Sequence, residues 1–211
     1  MTHLAAFDAA FSRCPLIAIL RGVRPNEVED IGEALVDAGF TLIEVPLNSP
    51  DPFASISLLA ARFAGRAVIG AGTVRSEADV ASVAKAGGTM IISPNTNPRV
   101  IATTAALGLV SLPGIATPSE AFAALDAGAT ALKLFPAEAS SPQVLKAMRA
   151  VLPAEVRVLP VGGISPETMG LWRSAGAAGF GLGSALYKCG LTAGEVAYNA
   201  QTFVRTLSEH T

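Results

Sequence analysis

Asp126-Ala-Gly128-Ala-Thr-Ala131-Leu-Lys133-Leu134-Phe135-Pro136, with Ser141-Pro142 a few residues on, is one period of the pattern that decides the fold. Gly128 has the character of a helix stop, because a residue without Cβ enters the left-handed conformation at no steric cost. Ala131–Leu134 is a short apolar run of strand length, bounded by that stop and by a proline. Ser141-Pro142 starts a helix: the serine can cap it, and proline lacks an N–H where none would be paired. A helix end, a buried strand and a new helix start within so few residues make a βα unit.

The same punctuation recurs along the chain. Gly39, Gly65, Gly87, Gly108, Gly128 and Gly176 close successive helical segments, and Asp51-Pro52, Asn97-Pro98, Thr117-Pro118, Ser141-Pro142 and Ser165-Pro166 open others. Between them lie eight strand candidates: Leu16–Leu20, Leu42–Val45, Ala67–Gly70, Met90–Ile92, Leu109–Leu112, Ala131–Leu134, Val156–Pro160 and Ala178–Leu182. Many are continuous apolar runs, as parallel strands covered on both faces require. Eight evenly spaced units with no linker or low-complexity tract predict one (β/α)8 TIM barrel over residues 1–211, with Thr2–Arg13 a short helix able to cover its bottom. A doubly wound open sheet is the competing arrangement; the even spacing favours closure.

Composition narrows the function. Hydrophobic residues make up 51% and charged residues 15% of the 211 residues, so a large core is available, and a net charge of −2 offers no basic field for nucleic acid. Apolar runs are too short to span a bilayer, and the first residues lack the basic and apolar regions of a signal peptide, so a cytoplasmic protein is expected. Cys14 and Cys189 form no CxxC and read as unpaired thiols of a reducing compartment. His3 and His210 stand at opposite ends of the chain. No histidine cluster suggests a zinc site and no internal histidine is available as a base, so proton transfer must use carboxylate, lysine, tyrosine or water.

In such a barrel the site lies at the C-terminal ends of the strands. Those ends carry Arg21-Gly22, Glu44, Gly72-Thr73, Pro94-Asn95, Pro113-Gly114, Lys133, Gly162-Gly163 and Gly183-Ser184. Lys133 is the most telling, since burial disfavours the ammonium form and leaves a neutral amine able to attack a carbonyl. The plain alternative is a lysine whose stem packs in the strand while its head reaches water. Glu44, alone among aliphatics, is costly unless partnered and is suited to proton transfer beside a lysine; an ion pair with Arg21 or Lys133 is the structural alternative. Gly162, Gly163, Gly183 and Ser184 follow strands seven and eight, where backbone N–H groups can hold phosphate. The same glycines could equally serve only to make tight turns.

Assembled in order, Leu16-Ile-Ala-Ile-Leu-Arg21-Gly22, Ile43-Glu44-Val45, Gly70-Ala-Gly72-Thr73-Val74, Ile92-Ser-Pro94, Pro113-Gly114-Ile-Ala-Thr117-Pro-Ser-Glu120, Ala131-Leu-Lys133-Leu-Phe135-Pro136-Ala-Glu138 and Val161-Gly162-Gly163-Ile164 resemble the 2-keto-3-deoxy-6-phosphogluconate and related class I aldolases. The resemblance implies Lys133 as Schiff-base lysine, Glu44 as proton-transfer base, no cofactor, a phosphorylated 2-keto-3-deoxy sugar acid as substrate, and a homotrimer. It further implies that Arg21 and Thr73 hold the substrate carboxylate and that Pro94 and Phe135 wall the pyruvyl part. Two positions, Asn48 and Val161, depart from the gluconate-type pattern, which has Arg and Thr there, and are similar to the galactonate-type branch, whose substrate is the C4 epimer. An enzyme acting on the gluconate epimer or on both, a phosphosugar isomerase or epimerase using Glu44, and a non-catalytic phosphate-binding barrel are the rival readings.

Overall fold

The computed structural model describes residues 2–209; His210, the second histidine, lies outside them. In chain order the elements are α1 (His3–Arg13), β1 (Leu16–Ile19), α2 (Val28–Asp37), β2 (Leu42–Pro46), α3 (Pro52–Arg62), β3 (Val68–Gly72), α4 (Glu77–Lys85), β4 (Met90–Ile92), α5 (Pro98–Ala106), β5 (Val110–Leu112), β6 (Gly114–Ile115), α6 (Pro118–Asp126), β7 (Leu132–Leu134), a 3-10 turn (Ala137–Ala139), α7 (Pro142–Arg149), β8 (Val158–Pro160), α8 (Pro166–Ser174), β9 (Phe180–Leu182) and α9 (Ala193–Glu209). All strand pairs are parallel. Six strands run in the order β5-β4-β3-β2-β1-β9 and three in the order β6-β7-β8, and the parallel sheet curls around an apolar interior.

The predicted stops and starts hold at most positions. All six helix-closing glycines have positive φ, from 67° at Gly108 to 106° at Gly39. Gly128 shows the mechanism: its N–H donates to Leu125 O and the next N–H, of Ala129, donates to Ala124 O, pairing carbonyls that the end of α6 would leave open. Asn97, Thr117 and Ser141 accept from the N–H groups of Arg99, Glu120 and Val144, so these caps form as read. Asp51 departs from the expectation: it precedes α3 in a left-handed conformation and makes no side-chain cap. The expected N-terminal helix is α1, with Thr2 as its cap.

The fifth strand is the main correction. The expected Leu109–Leu112 appears as β5, one residue late, and a further short segment that was not expected, β6, follows across Pro113. Proline has no N–H to give the ladder, yet its carbonyl still accepts from Lys133 N–H at 2.9 Å. The strand therefore changes neighbours at that point, from β4 to β7. The strand expected at Ala67–Gly70, β3, also runs further, to Gly72, and the one expected at Val156–Pro160, β8, begins at Val158, two residues late.

Alternation along the strands sorts the side chains. Leu16, Ala18, Ile43, Val45, Ile69, Ala71, Leu132, Leu134, Val158, Phe180 and Leu182 belong to the cluster that the surrounding helices pack against. Ile17, Leu42, Val68, Met90, Ile92, Val110, Leu112, Ala131 and Leu159 form a second cluster inside the curl, which Phe7, Ala10 and Phe11 of α1 cover. Period two puts residue 44 with residue 42, and residue 133 with residue 131. Glu44 and Lys133 are thus committed to the inner face by the apolar residues on either side of them.

Candidate active site

Lys133 and Glu44 share one small interior cavity, walled by Ile17, Ile19, Ile92, Leu112, Leu159, Val161 and Gly181. Its free volume is about 10 Å³, at the lower limit for a single water. Lys133 is 6% and Glu44 2% exposed, so both ionisable heads are inside and the snorkelling alternative does not apply. Glycine makes room for them. A Cβ on Gly72, the residue that ends β3, would strike the Glu44 carboxylate, and Gly181 lies inward on β9 with no side chain.

The two groups are not locked together. The ion pairs among the described residues are all at the surface, on Glu33, Asp37, Glu77 and Asp8, and none involves Lys133. The Lys133 Nζ instead lies 4.5 Å from the centre of the Phe135 ring. Glu44 Oε2 is buried without a hydrogen-bond partner. Burial pushes the Glu44 carboxyl up to about 7, against the opposing pull of Lys133 and then Arg21. Burial likewise lowers the Lys133 amine, opposed by Glu44 and reinforced by the like charge of Arg21. Both shifts favour uncharged forms, which for lysine is the nucleophilic one.

A second cavity of about 440 Å³ opens above the first, and Ile19 and Val161 are walls of both. It brings together Arg21, Phe135, Val161, Gly162, Gly163, Gly183 and Ser184, all read from the sequence. Gly162 and Gly163 have φ of 110° and 64°, and a Cβ on either would meet the side chain of Glu138. Their turn needs glycine on steric grounds alone, and it leads directly into the N-terminus of α8, whose dipole favours an anion. Arg21 Nη1 donates to Asn48 Oδ1 at 2.9 Å, joining Asn48 to this rim. Gly22 N–H donates to Ser49 Oγ at 2.9 Å, fastening the loop after β1 to the loop after β2.

Thr73 and Pro94 line neither cavity. Thr73 follows Gly72 and holds a φ of 59°, which for a β-branched residue is a genuine backbone outlier. Pro94 instead presents its carbonyl against Gly114. Among the cavity's other lining residues are four with polar or ionisable side chains to which the sequence assigns no role: Glu138, Tyr187, Lys188 and Cys189. Position could have indicated the last three, since they follow the Gly183-Ser184 turn within a few residues.

Comparison with known proteins shows the family. The family model described as aldolase, KDPG and KHG type, matches residues 7–201. The "Probable 2-dehydro-3-deoxy-6-phosphogalactonate aldolase" of Rhizobium meliloti is 48% identical over 186 residues, 88% of each chain. The 2-dehydro-3-deoxy-6-phosphogalactonate aldolase of Escherichia coli K12 is 44% identical over 198 residues, 94% of this chain and 97% of the other. A solved structure described as native KDPGal superposes with a TM-score of 0.93 at 44% identity, covering 94% of this chain and 96% of that one. With a family model matched over residues 7–201 and relatives 44–48% identical over most of their length, the chain belongs to the KDPG and KHG aldolase family.

Proposed function

We propose that this chain cleaves 2-dehydro-3-deoxy-6-phospho-D-galactonate to pyruvate and D-glyceraldehyde 3-phosphate through a Schiff base on Lys133. The observation that carries the reading is the placing of an unpaired buried lysine and an unpaired buried carboxylate in one apolar cavity. The Lys133 nitrogen adds to C2 of the substrate, and Glu44 in its acid form gives the proton with which the C2 oxygen leaves as water. The iminium then draws electrons. Glu44, now carboxylate, takes the C4 hydroxyl proton, the C3–C4 bond breaks, and its electron pair enters the iminium as an enamine. Glyceraldehyde 3-phosphate departs, C3 is protonated, and water releases pyruvate and the free amine. A carboxyl titrating near 7 is suited to both the acid and the base step.

The inner cavity is too small for the substrate, so the substrate lies in the outer one with its C2 carbonyl at the shared wall. Arg21, supported by Asn48, faces the carboxylate; Phe135 bounds the pyruvyl part; Gly162, Gly163, Gly183 and Ser184 take the phosphate, and Thr73 and Pro94, outside both cavities, make no direct contact in this placement. The cavity is of ordinary ligand size. Two contacts support a closed (β/α)8 barrel and a single domain: the Lys133-to-Pro113 hydrogen bond joins the two sheets on one side, and the Val161–Gly181 bridge joins them on the other. No helix among the described residues is long and apolar enough to cross a membrane, and both cysteines are free thiols. The family resemblance is what supports a cytoplasmic enzyme assembled as a homotrimer.

Turnover of the two C4 epimers, compared on the same preparation, tests the substrate. The galactonate compound is expected to have the higher kcat/KM, and a strong preference for the gluconate epimer would overturn the assignment. Val161 stands in the wall of both cavities, so Val161→Thr places a hydroxyl beside the reacting bond. That substitution is expected to move the ratio toward the gluconate epimer by about 10- to 100-fold, the range one polar contact commands in a specificity pocket.

Thr73 supplies a separate test. Holding a threonine in the left-handed region costs about 1–3 kcal/mol, and a strained residue at a site boundary trades stability for geometry. Thr73→Gly is expected to leave the melting temperature unchanged or to raise it by about 2–4 °C, while lowering kcat, because the strained residue follows Gly72, which seats the Glu44 carboxylate. A lower melting temperature with unchanged kcat would assign Thr73 to the fold and not to the site.

A further inference from the structure

Tyr187 is 2% exposed, yet its ring stands in the wall of the outer cavity. Its hydroxyl donates to Glu27 Oε1 at 3.2 Å, and the same oxygen accepts from the Arg24 N–H at 3.1 Å. Glu27 and Arg24 belong to the loop after β1, the loop that begins with Arg21. Tyr187 closes the turn after β9, its own N–H donating to Gly183 O at 3.0 Å and that of Leu186 donating there at 2.9 Å. Two residues on, the Cys189 thiol lies 3.6 Å from Arg21 O and 3.4 Å from Gly22 O, and Sγ fills the place a Cβ on Gly22 would take. The turn holding Gly183 and Ser184 is thereby seated on the loop holding Arg21 at two points.

We propose that Tyr187 and Glu27 form a latch that positions the Gly183-Ser184 turn against the Arg21 loop, and that this latch sets the preference for phosphorylated over unphosphorylated aldehyde. The inference rests on the functional reading above and adds to it a positioning residue distant from the reacting carbons. The physical reason is entropic. A turn exposed at Ser184, and followed by exposed Ala185, Lys188 and Cys189, must be held in one conformation before its N–H groups can converge on an anion, and ordering it during binding would cost affinity. Tyr187 remains a donor for this purpose, since burial first and the charge of Glu27 next push its phenol above its usual range.

The latch predicts a selective defect. In the synthetic direction, pyruvate is supplied with either D-glyceraldehyde 3-phosphate or D-glyceraldehyde as acceptor. Tyr187→Phe keeps the ring and removes the donor; it is expected to lower kcat/KM for the phosphorylated acceptor about tenfold, the effect of 1.36 kcal/mol, chiefly through KM, and to leave the unphosphorylated acceptor within a factor of two or so. Glu27→Ala should reproduce the loss, Glu27→Gln, which keeps an acceptor, should restore most of it, and the double variant Tyr187→Phe, Glu27→Ala should be no worse than either single one. Equal losses on both acceptors, or additive losses in the double variant, would show a merely structural pair and overturn the latch. A wild-type protein that condenses both acceptors equally would instead count against the phosphate site itself, and one that condenses neither would count against the aldolase reading.

Discussion

Lys133→Ala will not form a reducible adduct with pyruvate, and its turnover will fall by more than about 10⁴-fold. The first expectation is chemical: borohydride reduces an iminium to a stable secondary amine, and position 133 would have no amine to carry it. In the wild-type protein the mass of pyruvate, less water and plus two hydrogens, should appear on the peptide that contains Lys133. The second follows from what is removed. A general acid or base contributes about 10²–10⁴ in rate, whereas the lysine supplies the whole covalent route and the electron sink that makes C3–C4 cleavage possible. The substitution leaves a buried alanine among Leu112, Leu159 and Phe135 in place of a buried amine, so folding should survive it. An adduct that persists in Lys133→Ala, or one that maps to Lys146 or Lys188, would remove the basis of the mechanism.

Glu44→Gln should slow cleavage by about 10²–10⁴ and should still yield a pyruvate adduct, formed more slowly. The sign of the pH dependence separates this role from a structural one. Once the iminium has formed, the lysine nitrogen bears a fixed charge and Glu44 alone titrates within the inner cavity. C–C cleavage needs the carboxylate, so its single-turnover rate should rise with pH, about tenfold per unit below the carboxyl pKa, and level off above it. In the free protein burial holds that pKa up at about 7; the iminium charge pulls it down from there. The rise should vanish in Glu44→Gln. A wild-type cleavage rate that falls with increasing pH, or a rise that survives the substitution, would exclude Glu44 as the base.

Much of the site could be read before folding because its signals are local. Strand parity is one: Leu132 and Leu134 on either side of Lys133, and Ile43 and Val45 on either side of Glu44, are apolar enough to face the helices and turn the charged residue between them inward. The glycines before the strands and the prolines after the caps announced each unit for the same reason, since a helix end is decided by residues within one turn of it. Other features had no local signature. Thr73 gives no hint in sequence of its left-handed backbone, because that conformation is imposed by what surrounds it. Glu138, Tyr187 and Cys189 carry no local signature of a role, because residues from distant parts of the chain, Gly162, Glu27 and Arg21, come to lie beside them.

From residue order alone came the alternation of elements, the placing of Glu44 and Lys133 at strand ends, the glycine turns and the family resemblance, because periodicity and capping act over a few residues. Folding had to decide the rest. That the amine and the carboxylate are buried together without pairing, that Pro113 hands its strand from one neighbour to another, and that Val161 walls both cavities depend on how strands far apart in the chain are set side by side. Burial is a property of the assembled surroundings, and the shifted protonation of Glu44 and Lys133 follows from burial. The chain names the groups that can do the chemistry, and packing gives them the environment in which they can do it.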